Sequence, residues 1–114
     1  MMTFMGVLQQ FIGECNQDER LREMNRDWTR RIQFISEDSD ERHYILCEEG
    51  FLSADRGELA NPDMEIRATE DILKAVFSGQ MTPTEPYNAG DLMVRGHQDD
   101  LMRLDIITLL IWGE

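Results

Sequence analysis

Residues 61–83, Asn61-Pro62-Asp63-Met64-Glu65-Ile66-Arg67-Ala68-Thr69-Glu70-Asp71-Ile72-Leu73-Lys74-Ala75-Val76-Phe77-Ser78-Gly79-Gln80-Met81-Thr82-Pro83, change their hydrophobic period in mid-run. Met64, Ile66 and Ala68 alternate with Glu65 and Arg67, the period of two of a half-buried strand. From Thr69 the period becomes helical. Thr69 can cap the helix, and Glu70 and Asp71 lie at the positive end of its dipole. Ile72, Leu73, Val76 and Phe77 form its apolar stripe, and Gly79 is placed to end it. A strand running straight into a helix is the unit from which the rest of the chain is read.

Upstream, Phe4, Val7, Leu8, Phe11, Ile12 and Cys15 recur at helical spacing, and Asp18 can cap a second helix from Glu19 to about Trp28. Ile32 and Phe34 then alternate with Arg31 and Gln33 as a strand. A charged turn over residues 36–41 leads to a second strand, His43 to Glu48. Its Tyr44 and Leu46 are read toward the core, with Ile45 and Cys47 on the open face. Glu49-Gly50 turns the chain into a short strand from Phe51 to Ala54. Connections this short predict an antiparallel meander, because a parallel crossover needs a dozen or more residues.

Downstream, Thr82-Pro83-Thr84-Glu85 has the residue order of a capping box with proline at the first helical position. Pro86 limits that helix to one or two turns. Asp91 to Arg95 reads as a fifth strand, and Asp99 starts a closing helix that is polar only at Arg103, Asp105 and Thr108 among residues 101–112. Strands clustered between helices give an α+β class, with a five-stranded, mainly antiparallel sheet and helices packed on one face. The open face would carry Arg31, Gln33, Glu65, Arg67 and Arg95.

The chain has 114 residues, 23 acidic against 11 basic, and a formal charge of −12. That length suits one domain over 1–114, in which the helix within 1–18 need not belong to the core. The acidic balance disfavours nucleic acid, whose phosphates are neutralised by Lys and Arg, and docking to anionic lipid headgroups. Neither a signal peptide nor a run of roughly 20 apolar residues is present, so stable membrane insertion is not expected and a cytoplasmic location is the default. Cys15 and Cys47, His43 and His97 stand at scattered positions; no structural metal is expected of them, and both histidines read as solvated. No nucleophile–base pair, phosphate-cradling loop or zinc signature appears, which argues against an enzyme and against a cofactor.

The order of these motifs resembles the sterol carrier protein-2 (SCP2) domain family. The stretch from Asn61 to Leu73, then Phe77-Ser78-Gly79-Gln80-Met81-Thr82-Pro83, matches the family's strand, acidic-capped helix and "SGK-hydrophobic-NP" turn. Tyr87-Asn88-Ala89-Gly90, Asp91-Leu92-Met93-Val94-Arg95-Gly96 and Leu101-Met102-Arg103-Leu104 match the turn, strand and closing helix that follow. Gln80 and Thr82 replace the family's frequent Lys and Asn, and no Ser-Lys-Leu ends the chain, which suits a small stand-alone prokaryotic-type member. The resemblance implies non-catalytic binding or carriage of a fatty acid, fatty acyl-CoA, sterol or similar lipid in a hydrophobic tunnel. On that basis Phe77, Met81, Tyr87, Leu101, Leu104, Ile107 and Leu110 are expected to border the apolar pocket. The alternative is an interaction or accessory module, such as a homodimer, whose groove is filled by side chains or a partner.

Overall fold

The computed structural model describes residues 2–113. Five helices and five strands follow in the order α1 (Phe4–Gln17), α2 (Glu19–Met24), β1 (Arg30–Ser36), β2 (Arg42–Glu48), β3 (Phe51–Arg56), β4 (Met64–Ala68), α3 (Glu70–Phe77), α4 (Thr84–Ala89), β5 (Met93–Arg95) and α5 (Gln98–Trp112). The architecture is α+β. Two predicted caps are in place: Asp18 accepts from Arg20 N and Leu21 N, and Thr69 from Ile72 N; α1 has a cap that its spacing did not announce, Thr3 accepting from Gly6 N. At α4 only half of the expected capping box forms. Glu85 reaches back to the Thr82 amide at 2.9 Å, but the helix begins at Thr84 behind Pro83. The second helix is shorter than its apolar spacing suggested, ending at Met24, with Trp28 beyond it.

The sheet order is β3-β2-β1-β4-β5. β1–β2, β2–β3 and β4–β5 are antiparallel, whereas β1 and β4 are parallel, with Phe34 opposite Ile66. The expected meander therefore stops at β3. Short connections suggested otherwise because the crossover between the parallel neighbours is not a loop: it is the whole β2–β3 hairpin together with residues 57–63. That last segment crosses the open face and is clasped by Gln33. Its Nε2 donates to Gly57 O at 2.9 Å, and its Oε1 accepts from Leu59 N at 2.6 Å. Further along, the Asp63 amide donates to Arg31 O.

Register also reverses the two faces assigned to β2. Phe34 pairs with His43 and Ile32 with Ile45, so His43, Ile45 and Cys47 point toward the helices and are buried. Tyr44 and Leu46 lie half-buried on the other face, where Tyr44 meets Gly57 of the crossing segment. His43 is consequently a core side chain and not a solvated one.

The core lies between the sheet and α1, α3 and α5. Phe4, Leu8 and Phe11 of α1 are 0–1% exposed, so this helix is integral to the core and not peripheral. Asn16, near its C-terminal end, pairs with the edge of β3 as a strand would: its Nδ2 donates to Leu52 O and its Oδ1 accepts from Leu52 N, both at 2.9 Å.

Candidate apolar site

Phe77, the last residue of α3, stands at the centre of an aromatic cluster. Its ring centroid lies 5.2 Å from Phe34 of β1, 5.1 Å from Phe11 and 6.1 Å from Phe4 of α1. The Phe34 and Phe11 contacts are edge-to-face, the arrangement favoured by ring quadrupoles. Phe4 also sets its ring on the edge of His43, at 5.2 Å. Burial lowers the His43 pKa, aided by Arg56 and opposed by Glu41 and Glu70, and its Nδ1 is buried without a hydrogen-bond partner. Cys15 and Cys47 are free, buried thiols. Burial pushes the first up to about 12 and the second up to about 11, so neither is a ready thiolate.

On α5 the inner stripe Leu101, Leu104 and Ile107 is 0–2% exposed and joins the same cluster as Phe77. Met81 and Tyr87 pack against that cluster, half-buried. Six of the seven expected pocket residues thus share one apolar body. Leu110 stands apart, 37% exposed. Polar contacts hold α5 at four points along its length. At its start, buried Asp100 accepts from the Trp28 indole at 2.9 Å and from Arg30 Nε at 3.0 Å. Arg103 donates to Met24 O and lies 5.3 Å over the Trp28 ring. Midway, Asp105 accepts from both the amide and the hydroxyl of Thr84, tying α4 to α5. At its end, the Trp112 indole donates to Phe77 O at 3.0 Å, and Trp112 packs over Gly79.

Among the described residues no group of three or more His, Cys, Asp or Glu side chains converges as a metal site would require. No helix among them is long and apolar enough to cross a membrane. What the arrangement offers chemically is apolar burial: the cluster presents carbon, His43 Nδ1 beside it has no partner, and the polar groups of Asp100, Arg103, Asp105 and Trp112 are spent on holding α5.

The sequence matches the SCP-2 sterol transfer family over residues 8–107. The chain belongs to this family. Membership places it among lipid-binding and lipid-transfer domains in the general sense. No curated protein sequence matches the chain.

Solved structures share the SCP-2 fold at low identity. A ubiquinone synthesis protein, UbiJ-SCP2, superposes with a TM-score of 0.78 at 12% identity, covering 95% of this chain and 94% of that one. Palmitated SCP2L2 from Aedes aegypti gives 0.73 at 16% identity, with 94% and 95% covered. The inverting sec-alkylsulfatase Pisa1 from Pseudomonas sp. gives 0.66 at 14% identity, with 75% of this chain covered; the match spans only 14% of that enzyme chain. The SCP-2 fold therefore occurs both in chains of this size and as a small part of an enzyme.

Two features of this SCP-2 domain escaped the sequence. One is the aromatic contribution of α1, whose stripe was evident but whose partner was not. The other is the Trp28–Asp100 bond: an acidic residue in the first turn of a helix reads as a solvated dipole contact, and nothing in the sequence marks it as buried.

Proposed function

We propose that this protein binds one apolar lipid, of the fatty acid, fatty acyl-CoA or sterol class, and carries it without catalysing a reaction. The ligand occupies the space between the sheet, α3, α4 and α5, bordered by Phe77, Met81, Tyr87, Leu101, Leu104 and Ile107, with Leu110 toward the outer rim. The observation that carries this reading is the joining of the inner α5 stripe and Phe77 in one apolar body whose surrounding helix ends are separately pinned. Such a body gains roughly 0.8 kcal/mol for each ligand CH₂ it takes from water. Ligand occupancy requires the phenylalanine rings to turn aside, which favours flexible chains and a response in α1. No reacting group is needed, in keeping with a domain that supplies binding only.

A second reading, an interaction or accessory module with its groove filled by its own side chains, is favoured by the same four rings, which occupy that space themselves. Native mass spectrometry of freshly purified protein, with titration of a fluorescent fatty acid, separates the two. Carriage predicts a co-purifying lipid mass and saturable one-to-one binding, weakened at least tenfold by Leu104→Phe, which adds bulk while remaining apolar. A folded wild-type chain with no lipid mass and no saturable binding gives the lead to the module.

A further inference from the structure

The outer face of α5 carries Met102, Ile106, Leu109 and Leu110, which are 55%, 45%, 50% and 37% exposed. Their spacing of i, i+4, i+7 and i+8 makes one stripe about 12 Å long, at 1.5 Å per residue. Four of the seven large exposed apolar side chains of the described chain are gathered here; Met2, Phe51 and Met93 are isolated elsewhere. Contiguous apolar surface of this kind on a soluble domain marks a contact site. Neither α1 nor any other described element covers it.

Charge selects the occupant. Beside Leu109 an open depression of about 230 Å³ is shared by Met81, Trp112 and Glu85. Beside Leu110 another, of about 270 Å³, is shared by Ile111, Glu14 and Asp18. Asp99 is exposed in the first turn of the same helix. Glu14, Glu85 and Asp99 enter no ion pair among the described residues. The one cation of α5, Arg103, is turned away toward Met24 and Trp28. The stripe is thus apolar along its crest and acidic on both flanks. A second copy, itself at −12, would bring like rims together, and an anionic bilayer would be repelled in the same way.

The geometry points to this face as the docking site for a basic amphipathic helix of another protein, with a Leu/Ile-type stripe set on Met102, Ile106 and Leu109 and flanking Lys or Arg on the carboxylates. The mode is a helix read at i, i+3, i+4 and i+7. Leu110, at the rim of the proposed lipid site, is the one residue the two share; Met102, Ile106 and Leu109 lie on the side of α5 opposite the buried stripe Leu101, Leu104 and Ile107, so docking there is separable from lipid carriage.

The test uses the full chain and an 18-residue amidated peptide of Leu and Lys, patterned to put all leucines on one helical face, with a Leu/Glu peptide as its counterpart. Isothermal titration in 0.15 M salt should show saturable one-to-one binding of the Leu/Lys peptide and none of the Leu/Glu peptide. The exposed double variant Ile106→Ser/Leu109→Ser should weaken binding at least tenfold while fatty-acid binding is unchanged. Glu14→Gln/Glu85→Gln should weaken it several-fold and reduce its salt dependence. Equal binding by the serine variant would reduce the effect to charge alone and overturn the proposal. A dimer in sedimentation equilibrium that the serine variant dissolves, or its loss of binding to phosphatidylcholine vesicles, would overturn it in favour of a second copy or a membrane.

Discussion

The Trp28 indole N–H donates to Asp100 Oδ1 at 2.9 Å, joining the approach to β1 to the first turn of α5 across 72 positions of sequence. Arg30 adds its Nε to the same carboxylate, whose side chain is only 8% exposed. The start of α5 is therefore set by one buried acceptor serving two donors from the far end of the chain.

Asp100→Ala should cost about 3 kcal/mol, because it strands a buried indole N–H and a half-buried guanidinium together. Asp100→Asn, which keeps a carbonyl oxygen for Trp28, should cost less. Urea denaturation followed by Trp fluorescence measures both.

His43 gives the fold an acid sensitivity. Its pKa is lowered in the folded state, by burial first, so below the ordinary value of 6.5 the unfolded chain takes up a proton that the folded chain refuses. Its contribution to stability is complete above 6.5 and is lost as pH falls from there toward the depressed folded value. His43→Leu should flatten the melting temperature between pH 7 and pH 5 relative to wild type. A parallel decline in the variant would assign the acid response to carboxylates instead.

Gly79 has a φ of +89°, and a Cβ there would lie 2.5 Å from the Trp112 Cβ. Both the backbone and the space demand glycine. Gly79→Ala should destabilise the protein by about 2 kcal/mol or more and weaken the Trp112–Phe77 bond, read as lost protection of the Trp112 indole N–H in hydrogen exchange.

The elements legible in the sequence are those whose signal is local. Thr69, Glu70 and Asp71 announce α3, and the period of two in Met64, Ile66 and Ala68 announces β4. The phase of β2 was not legible, because Tyr44 and Leu46 are as apolar as Ile45 and Cys47, so alternation alone does not say which pair faces the helices. Only the pairing of His43 with Phe34 decides it. The parallel β1–β4 pair was hidden for a different reason: loop length describes neighbours in sequence, and here a hairpin intervenes. Of the candidate site, the stripe Leu101, Leu104 and Ile107 could be read from spacing. The meeting of Phe4, Phe11, Phe34 and Phe77 could not, since it depends on how α1 lies across strands that follow it in the chain.

The Asn16 clasp on Leu52 has a consequence for how copies of this molecule can meet. A sheet grows by adding strands at its two rims. At one rim the amide of Asn16 already occupies the hydrogen-bonding positions of Leu52 that an incoming chain would use. The other rim, β5, is only three residues long. Ribbon-like polymerisation is thus obstructed at one margin and starved of length at the other, so copies of this molecule have little to gain from meeting strand to strand.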